Sequence, residues 1–179
     1  MEKKKILVLN GSFCETPVIK KLKEMGYYVV TSGNAPELEG HAFADEYLAG
    51  DYSDKEWVLG LVKKNKMDGI ISCANDFGTI TAAYVAEQMG WAGHDTYENT
   101  LLLHHKDLFK AYCAEKNIPS VKSEVFHDLE KLLRYTKRCE YPIIVKANDL
   151  TGGKGICRAN NYEEACEAAK SAFEISRDK

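Results

Sequence analysis

Short apolar runs alternate with amphipathic stretches through the first ninety residues, and this alternation predicts strands and helices in turn. Residues 5–10 (Lys-Ile-Leu-Val-Leu-Asn) are a continuous apolar run leading into Asn10-Gly11-Ser12, the pattern of a buried parallel strand and a tight turn. Residues 16–25 put Val18, Ile19, Leu22 and Met25 on one helical face, closed by Gly26. A second strand is predicted over 27–31 and a third, weaker one over 46–48. Ser53-Asp-Lys-Glu56 reads as a capping box that opens a helix over 54–65. Residues 68–73 predict a fourth strand, and a helix follows Asn75-Asp76-Phe77-Gly78 through Met89. Alternation of this kind predicts an α/β domain with a parallel sheet and helices on both of its faces.

The rhythm changes after Gly93. Residues 99–117 are helical with an interruption near 104–106, and Pro119 ends the segment. A strand over 121–126, a helix over 129–138 and a strand over 142–146 follow. After a glycine-rich loop come a strand over 155–158 and a helix over 162–175, capped by Asn161 with Glu164. The expected organisation is a first domain over 1–96, linking helices over 97–117 and a smaller α+β unit over 118–179.

Composition narrows the classes of function. The 179 residues carry a formal net charge of −3, which argues against a nucleic-acid partner. No apolar run is long enough to span a membrane, and residues 6–9 are too short for a signal segment, so a cytoplasmic protein is expected. The six cysteines, at 14, 73, 113, 139, 157 and 166, form no Cys-x-x-Cys pair. They read as buried free thiols and not as a zinc site. Glu163, Glu164, Glu167 and Glu174 read as a solvated helix face.

The chemistry concentrates in residues 141–156, Tyr-Pro-Ile-Ile-Val-Lys-Ala-Asn-Asp-Leu-Thr-Gly-Gly-Lys-Gly-Ile. A strand ending in Lys146 leads into a glycine-rich loop carrying Lys154. Glycine lets backbone N–H groups approach phosphate oxygens, and the two ammonium groups add matching charge. A P-loop would need glycine where Asn148 stands and Ser or Thr where Gly155 stands, then a helix; none of these is present. A dinucleotide fingerprint after the first strand would need three glycines, and Asn10-Gly11-Ser12-Phe13-Cys14-Glu15 has one.

One arrangement accommodates the whole set. His105-Lys106-Asp107 with Phe109, Asn117-Ile-Pro119, and Val145-Lys146 with Thr151-Gly-Gly-Lys-Gly155 together resemble the ATP-grasp superfamily. The β-α-β segment upstream is similar to that family's pre-ATP-grasp domain. Carboxylate–amine ligases such as glycinamide ribonucleotide synthetase and the halves of carbamoyl phosphate synthetase share this order. The resemblance implies a Rossmann-like first domain, a linking helix and a partial ATP-grasp lid. It implies that Lys106, Lys146, Thr151, Gly152, Gly153, Lys154 and Gly155 contact ATP. It places a small carboxylate or amine substrate near Gly11, Ser12 and Phe13 and near Asn75, Asp76 and Phe77. Gly11 serves equally well as a plain βα turn, and Asn75 or Asp76 as a cap for the following helix.

Magnesium is expected with ATP, but the acidic and Asn ligands of the family follow the point at which this sequence ends. The expectation is therefore an N-terminal portion of a ligase with no catalytic or metal residue of its own and weak ATP binding. Either a second copy or a complementary C-terminal polypeptide would be its protein partner. A non-catalytic module binding a small ligand or partner is the alternative. His104 and His105, adjacent on a helix, point in different directions and read as one packed and one exposed residue.

Overall fold

The computed structural model describes residues 3–177, which form two compact units, one running up to Leu101 and the other from Leu102 onward. The first unit holds β1 (Lys5–Leu9), α1 (Thr16–Glu24), β2 (Tyr28–Gly33), a 3₁₀ turn (Glu39–Phe43), β3 (Glu46–Ala49), α2 (Lys55–Asn65), β4 (Gly69–Ile71) and α3 (Asp76–Met89). Helix α4 (Tyr97–His104) crosses the division. The second unit holds α5 (Lys106–Glu115), α6 (Leu129–Thr136), β5 (Ile143–Lys146), β6 (Ile156–Ala159) and α7 (Tyr162–Ile175). The linking segment expected over 97–117 contributes to both units.

In the first unit the strand order is β3-β2-β1-β4 and every pairing is parallel. Successive side chains of a strand point to opposite faces, and β1 shows the consequence. Leu7 and Leu9 join Val58, Leu59 and Val62 of α2 and Ala82, Val85 and Ala86 of α3. Val8 packs with Val29 against Ile19 and Leu22 of α1 on the other side. Burying each such aliphatic side chain contributes about 1.5–3 kcal/mol, so the apolar run of β1 anchors helices on both faces.

Capping differs from the expected pattern at α2. The N-cap is Asp54, whose carboxylate accepts from the backbone N–H of Glu56 and Trp57. Ser53, expected in that role, instead donates its backbone N–H and hydroxyl to Asp51. At α3 the cap is Asn75, accepting from Gly78 N–H at 2.8 Å. At α7, Asn161 accepts from Glu164 N–H, and Glu164 in turn accepts from the Asn161 amide and from the backbone N–H of Asn160.

In the second unit β5 and β6 form an antiparallel pair with α7 packed on one face through Ala168 and Ala172. The strand expected over 121–126 is not formed. No strand of this unit other than β5 and β6 is found among the described residues, so that run has no ladder neighbour. Val121 is 81% exposed, and its carbonyl accepts from the Lys110 ammonium instead. The thiols also differ from expectation: Cys113 is buried, whereas Cys14, Cys73 and Cys157 are exposed. No helix among the described residues is long and apolar enough to cross a membrane.

Candidate functional site

The glycine-rich loop joins β5 to β6, so its two ends are held 147-to-155 by the hairpin itself. Ala147 N–H donates to Gly155 carbonyl at 3.2 Å, and Lys154 N–H donates to Thr151 carbonyl at 3.3 Å across the tip. Gly152, Gly153 and Gly155 all adopt left-handed φ, at 64°, 78° and 67°. Such a conformation costs an ordinary L-residue roughly 1–2 kcal/mol. Gly152 and Gly153 are exposed with open space where a side chain would stand, whereas a Cβ on Gly155 would lie 2.7 Å from Ile175. Lys146 ends β5 with its side chain exposed, and Lys154 is exposed at the tip. The loop therefore presents free N–H groups at its tip and an ammonium at its root.

Lys106 opens α5, and its ammonium donates to the carbonyls of Asn148 at 2.9 Å and Leu150 at 2.6 Å. Beside it Asp107 and Asn148 form a reciprocal pair. Asp107 N–H donates to Asn148 Oδ1, and Asn148 Nδ2 donates to Asp107 Oδ1. Burial works to raise the Asp107 carboxyl, but the Asn148 amide and nearby backbone N–H groups overcome this and hold it below the usual carboxylate range. Asp149, 3% exposed, accepts from Ser176 hydroxyl at 2.8 Å and Arg177 N–H at 2.7 Å. The first half of the loop is thus fastened to α5 and to the end of α7, which leaves 151–155 as the least constrained stretch.

In the first unit the residues expected to hold substrate lie at the C-terminal ends of neighbouring strands. Gly11, Ser12 and Phe13 follow β1, and Asn75, Asp76 and Phe77 follow β4. Gly11 is buried against the His41 ring, which a Cβ there would approach to 2.3 Å. Asn10 enters the turn at φ 74°, a left-handed conformation that Asn tolerates better than most residues. Ser12 is half-buried, Phe13 is 72% exposed, Asp76 is exposed and Phe77 is half-buried. Asn75 has its oxygen committed to the α3 cap, while its amide nitrogen is buried without a partner.

Glu15 is the residue of this turn that sequence reasoning passed over. It is fully buried, and its Oε2 accepts from Asn10 Nδ2, Ser12 N–H and Ser12 hydroxyl, the last at 2.5 Å. Around it, burial lowers the His41 imidazole despite the Ala35 carbonyl, Glu15 and Glu37, and burial with Glu15 and Cys14 raises the Cys73 thiol. His41 Nδ1 stands 2.9 Å from Thr31 Oγ1. The one available signal was a glutamate directly before the Thr16-Pro17 helix start, where a free carboxylate favours the helix N-terminus.

His104 and His105 are both half-buried with rings edge-on at 5.1 Å between centroids, in place of one packed and one exposed. Among the described residues no group of three or more His, Cys, Asp or Glu side chains is placed to hold a metal ion.

Comparison with known proteins finds a family model for the second unit and relatives that match both units. Residues 104–177 match the family model of the phosphoribosylglycinamide synthetase ATP-grasp (A) domain. The arginine-specific carbamoyl phosphate synthase large chain of Neurospora crassa is 30% identical over 97% of this chain, which spans 16% of that protein. Phosphoribosylamine–glycine ligase of Clostridium acetobutylicum is 38% identical over 37% of this chain, covering 15% of that protein. Among solved structures, the biotin carboxylase domain of Hydrogenobacter thermophilus 2-oxoglutarate carboxylase, in complex with MgADP, ADP and bicarbonate, superposes with a TM-score of 0.72. It is 24% identical, covering 97% of this chain and 41% of that one. The chain thus spans well under half the length of these relatives. The match to the ATP-grasp domain covers residues 104–177, and the likeness to the carbamoyl phosphate synthase large chain extends over both units.

Proposed function

We propose that this ATP-grasp relative supplies the phosphate-binding lid and a substrate-binding domain of an ATP-dependent carboxylate–amine ligase. One observation carries the reading. The 151–155 tip holds unengaged N–H groups at Gly152 and Gly153, with the exposed Lys146 at the loop root, inside the segment that matches the ATP-grasp domain. Preorganised N–H donors and an ammonium are what a transferring phosphoryl group needs, because phosphoryl transfer is governed by positioning and charge neutralisation.

In the proposed reaction a substrate carboxylate oxygen attacks the γ-phosphorus of ATP, and the bond to the bridging oxygen breaks with release of ADP. An amine then attacks the resulting acyl phosphate, inorganic phosphate leaves with the bonding pair, and the ammonium proton is lost as the C–N bond forms. Lys146 and the tip N–H groups hold the phosphates throughout, and Lys106 acts by fixing the root from which the tip closes. Magnesium supplies charge neutralisation in such chemistry, and among the described residues no group of three or more His, Cys, Asp or Glu side chains could hold it.

Isothermal titration with ATP and magnesium tests the assignment. Binding by this chain is expected to be weak, with a dissociation constant around 1 mM, or about 4 kcal/mol. Lys146→Ala should weaken it about ten-fold or more, as expected for the loss of one charge-assisted hydrogen bond. Equal heats from the two proteins would remove Lys146 from the site.

A further inference from the structure

The turn after β1 follows a parallel strand and opens a helix, a position suited to anions because helix N-termini offer free N–H groups. Here most of those donors are engaged, while the N–H groups of Gly11, Phe13 and Val18 are not. Asn10 N–H donates to Ser32 carbonyl, while Glu15 N–H and Thr16 N–H both donate to Ser12 carbonyl. Ser12 N–H donates to Glu15 Oε2, and Cys14 N–H to Ser12 Oγ. Pro17, within the first turn of α1, has no N–H to offer.

The carboxylate that takes the place of an external anion is Glu15. It is 0% exposed, no cation pairs with it among the described residues, and its Oε1 has no hydrogen-bond partner. Ser32 Oγ, also 0% exposed and at the end of β2, is without a partner too. A buried carboxylate oxygen with an unused lone pair is costly unless something donates to it. An ammonium brought to this turn gains a charge-assisted hydrogen bond. A phosphate brought to the same place meets the like charge of Glu15, which opposes any attraction from the open N–H groups of Gly11, Phe13 and Val18.

We infer that the first-domain site of this chain takes a small, unphosphorylated amine, and that Glu15 is the residue that sets this specificity. The inference rests on the ligase reading above and deepens it by naming the amine half of the substrate pair. It separates this chain from the relatives named phosphoribosylamine–glycine ligase, whose named amine carries a phosphate. Glu15 touches the turn and not the reacting atoms, so its role is selection.

Residue-resolved ¹H–¹⁵N spectra of the 20.1 kDa chain test this with two probes, ethylammonium and ribose 5-phosphate. Ethylammonium is expected to shift the Ser12 and Cys14 amides in a saturable way, at least ten-fold more weakly in Glu15→Gln, while ribose 5-phosphate leaves them unmoved. A saturable shift of those amides by ribose 5-phosphate overturns the inference. So does a wild-type protein indifferent to ethylammonium, or an undiminished response in Glu15→Gln. The two wild-type arms decide alone if Glu15→Gln does not fold. The Gly152 and Gly153 amides, followed with ATP and magnesium in the same samples, report on the ligase reading separately.

Discussion

Two glycine-containing turns follow apolar strands in this protein, and they differ in how many of their backbone donors are engaged and in the charge that stands beside them. After β1, the N–H groups of Asn10, Ser12, Cys14, Glu15 and Thr16 are consumed within the turn and its neighbours, those of Gly11, Phe13 and Val18 stay open, and the buried Glu15 carboxylate stands among them. After β5, the root of the loop is fastened by Lys106, Asn148 and Asp149, while Gly152 and Gly153 at the tip stay open. A glycine in a βα or ββ turn therefore says little about phosphate by itself. What matters is how many of the N–H groups around it already have partners and which charge stands beside them, and after β1 that charge is the buried Glu15 carboxylate.

Substitutions at glycine give the sharpest contrast between the turns. A Cβ on Gly40 would lie 2.5 Å from the Gly11 carbonyl oxygen, a backbone atom that cannot swing aside. Gly40→Ala should destabilise the first unit by about 3 kcal/mol, read as a lowered urea midpoint. A midpoint near that of the wild type would mean the packed turn is softer than its geometry implies. The next effect lies at the loop root. Asp107→Ala leaves the Asn148 amide without its acceptor and should cost the second unit about 2 kcal/mol, with faster trypsin cleavage after Lys154.

At the open tip the same glycine-to-alanine change meets nothing within 4 Å of the new Cβ at Gly153, and only its φ of 78° resists. Gly153→Ala should cost about 1 kcal/mol, so thermal melts of Gly40→Ala and Gly153→Ala should differ clearly. The smallest effect concerns pH. Because burial depresses His41 below its ordinary value, the unfolded chain takes up its proton first. The stability that neutral His41 supports is complete above about pH 6.5 and declines as pH falls toward the folded value. A His41→Gln variant should flatten that part of the stability profile.

Much of this was legible in the order of residues because it depends on local pattern. The apolar run of residues 5–10, the helical spacing of Ile19 and Leu22 and the Asn161–Glu164 cap all act over a few positions. So did the segment from Lys146 to Gly155, whose strand-to-strand setting excluded a P-loop. What was not legible depends on partners distant in sequence. Residues 121–126 have a strand-like pattern, but a strand needs a neighbour, and none of the described residues supplies one. Lys106 reads in sequence as a phosphate ligand, and the loop carbonyls that its ammonium meets, 42 and 44 residues away, leave no trace in the local pattern. Glu15 reads as one more helix-start acid until Asn10 and Ser12 are seen to converge on it. Its consequence is chemical, since it decides which charge the turn can receive.

The central claim is that the β5–β6 tip receives phosphate and the β1 turn does not. Amide hydrogen-exchange rates, measured residue by residue by NMR with and without millimolar ATP and magnesium, test it directly. The account predicts slowed exchange at Gly152 and Gly153 and unchanged exchange at Ser12 and Glu15. Slowing at the β1 turn with no change at the glycine tip would contradict it.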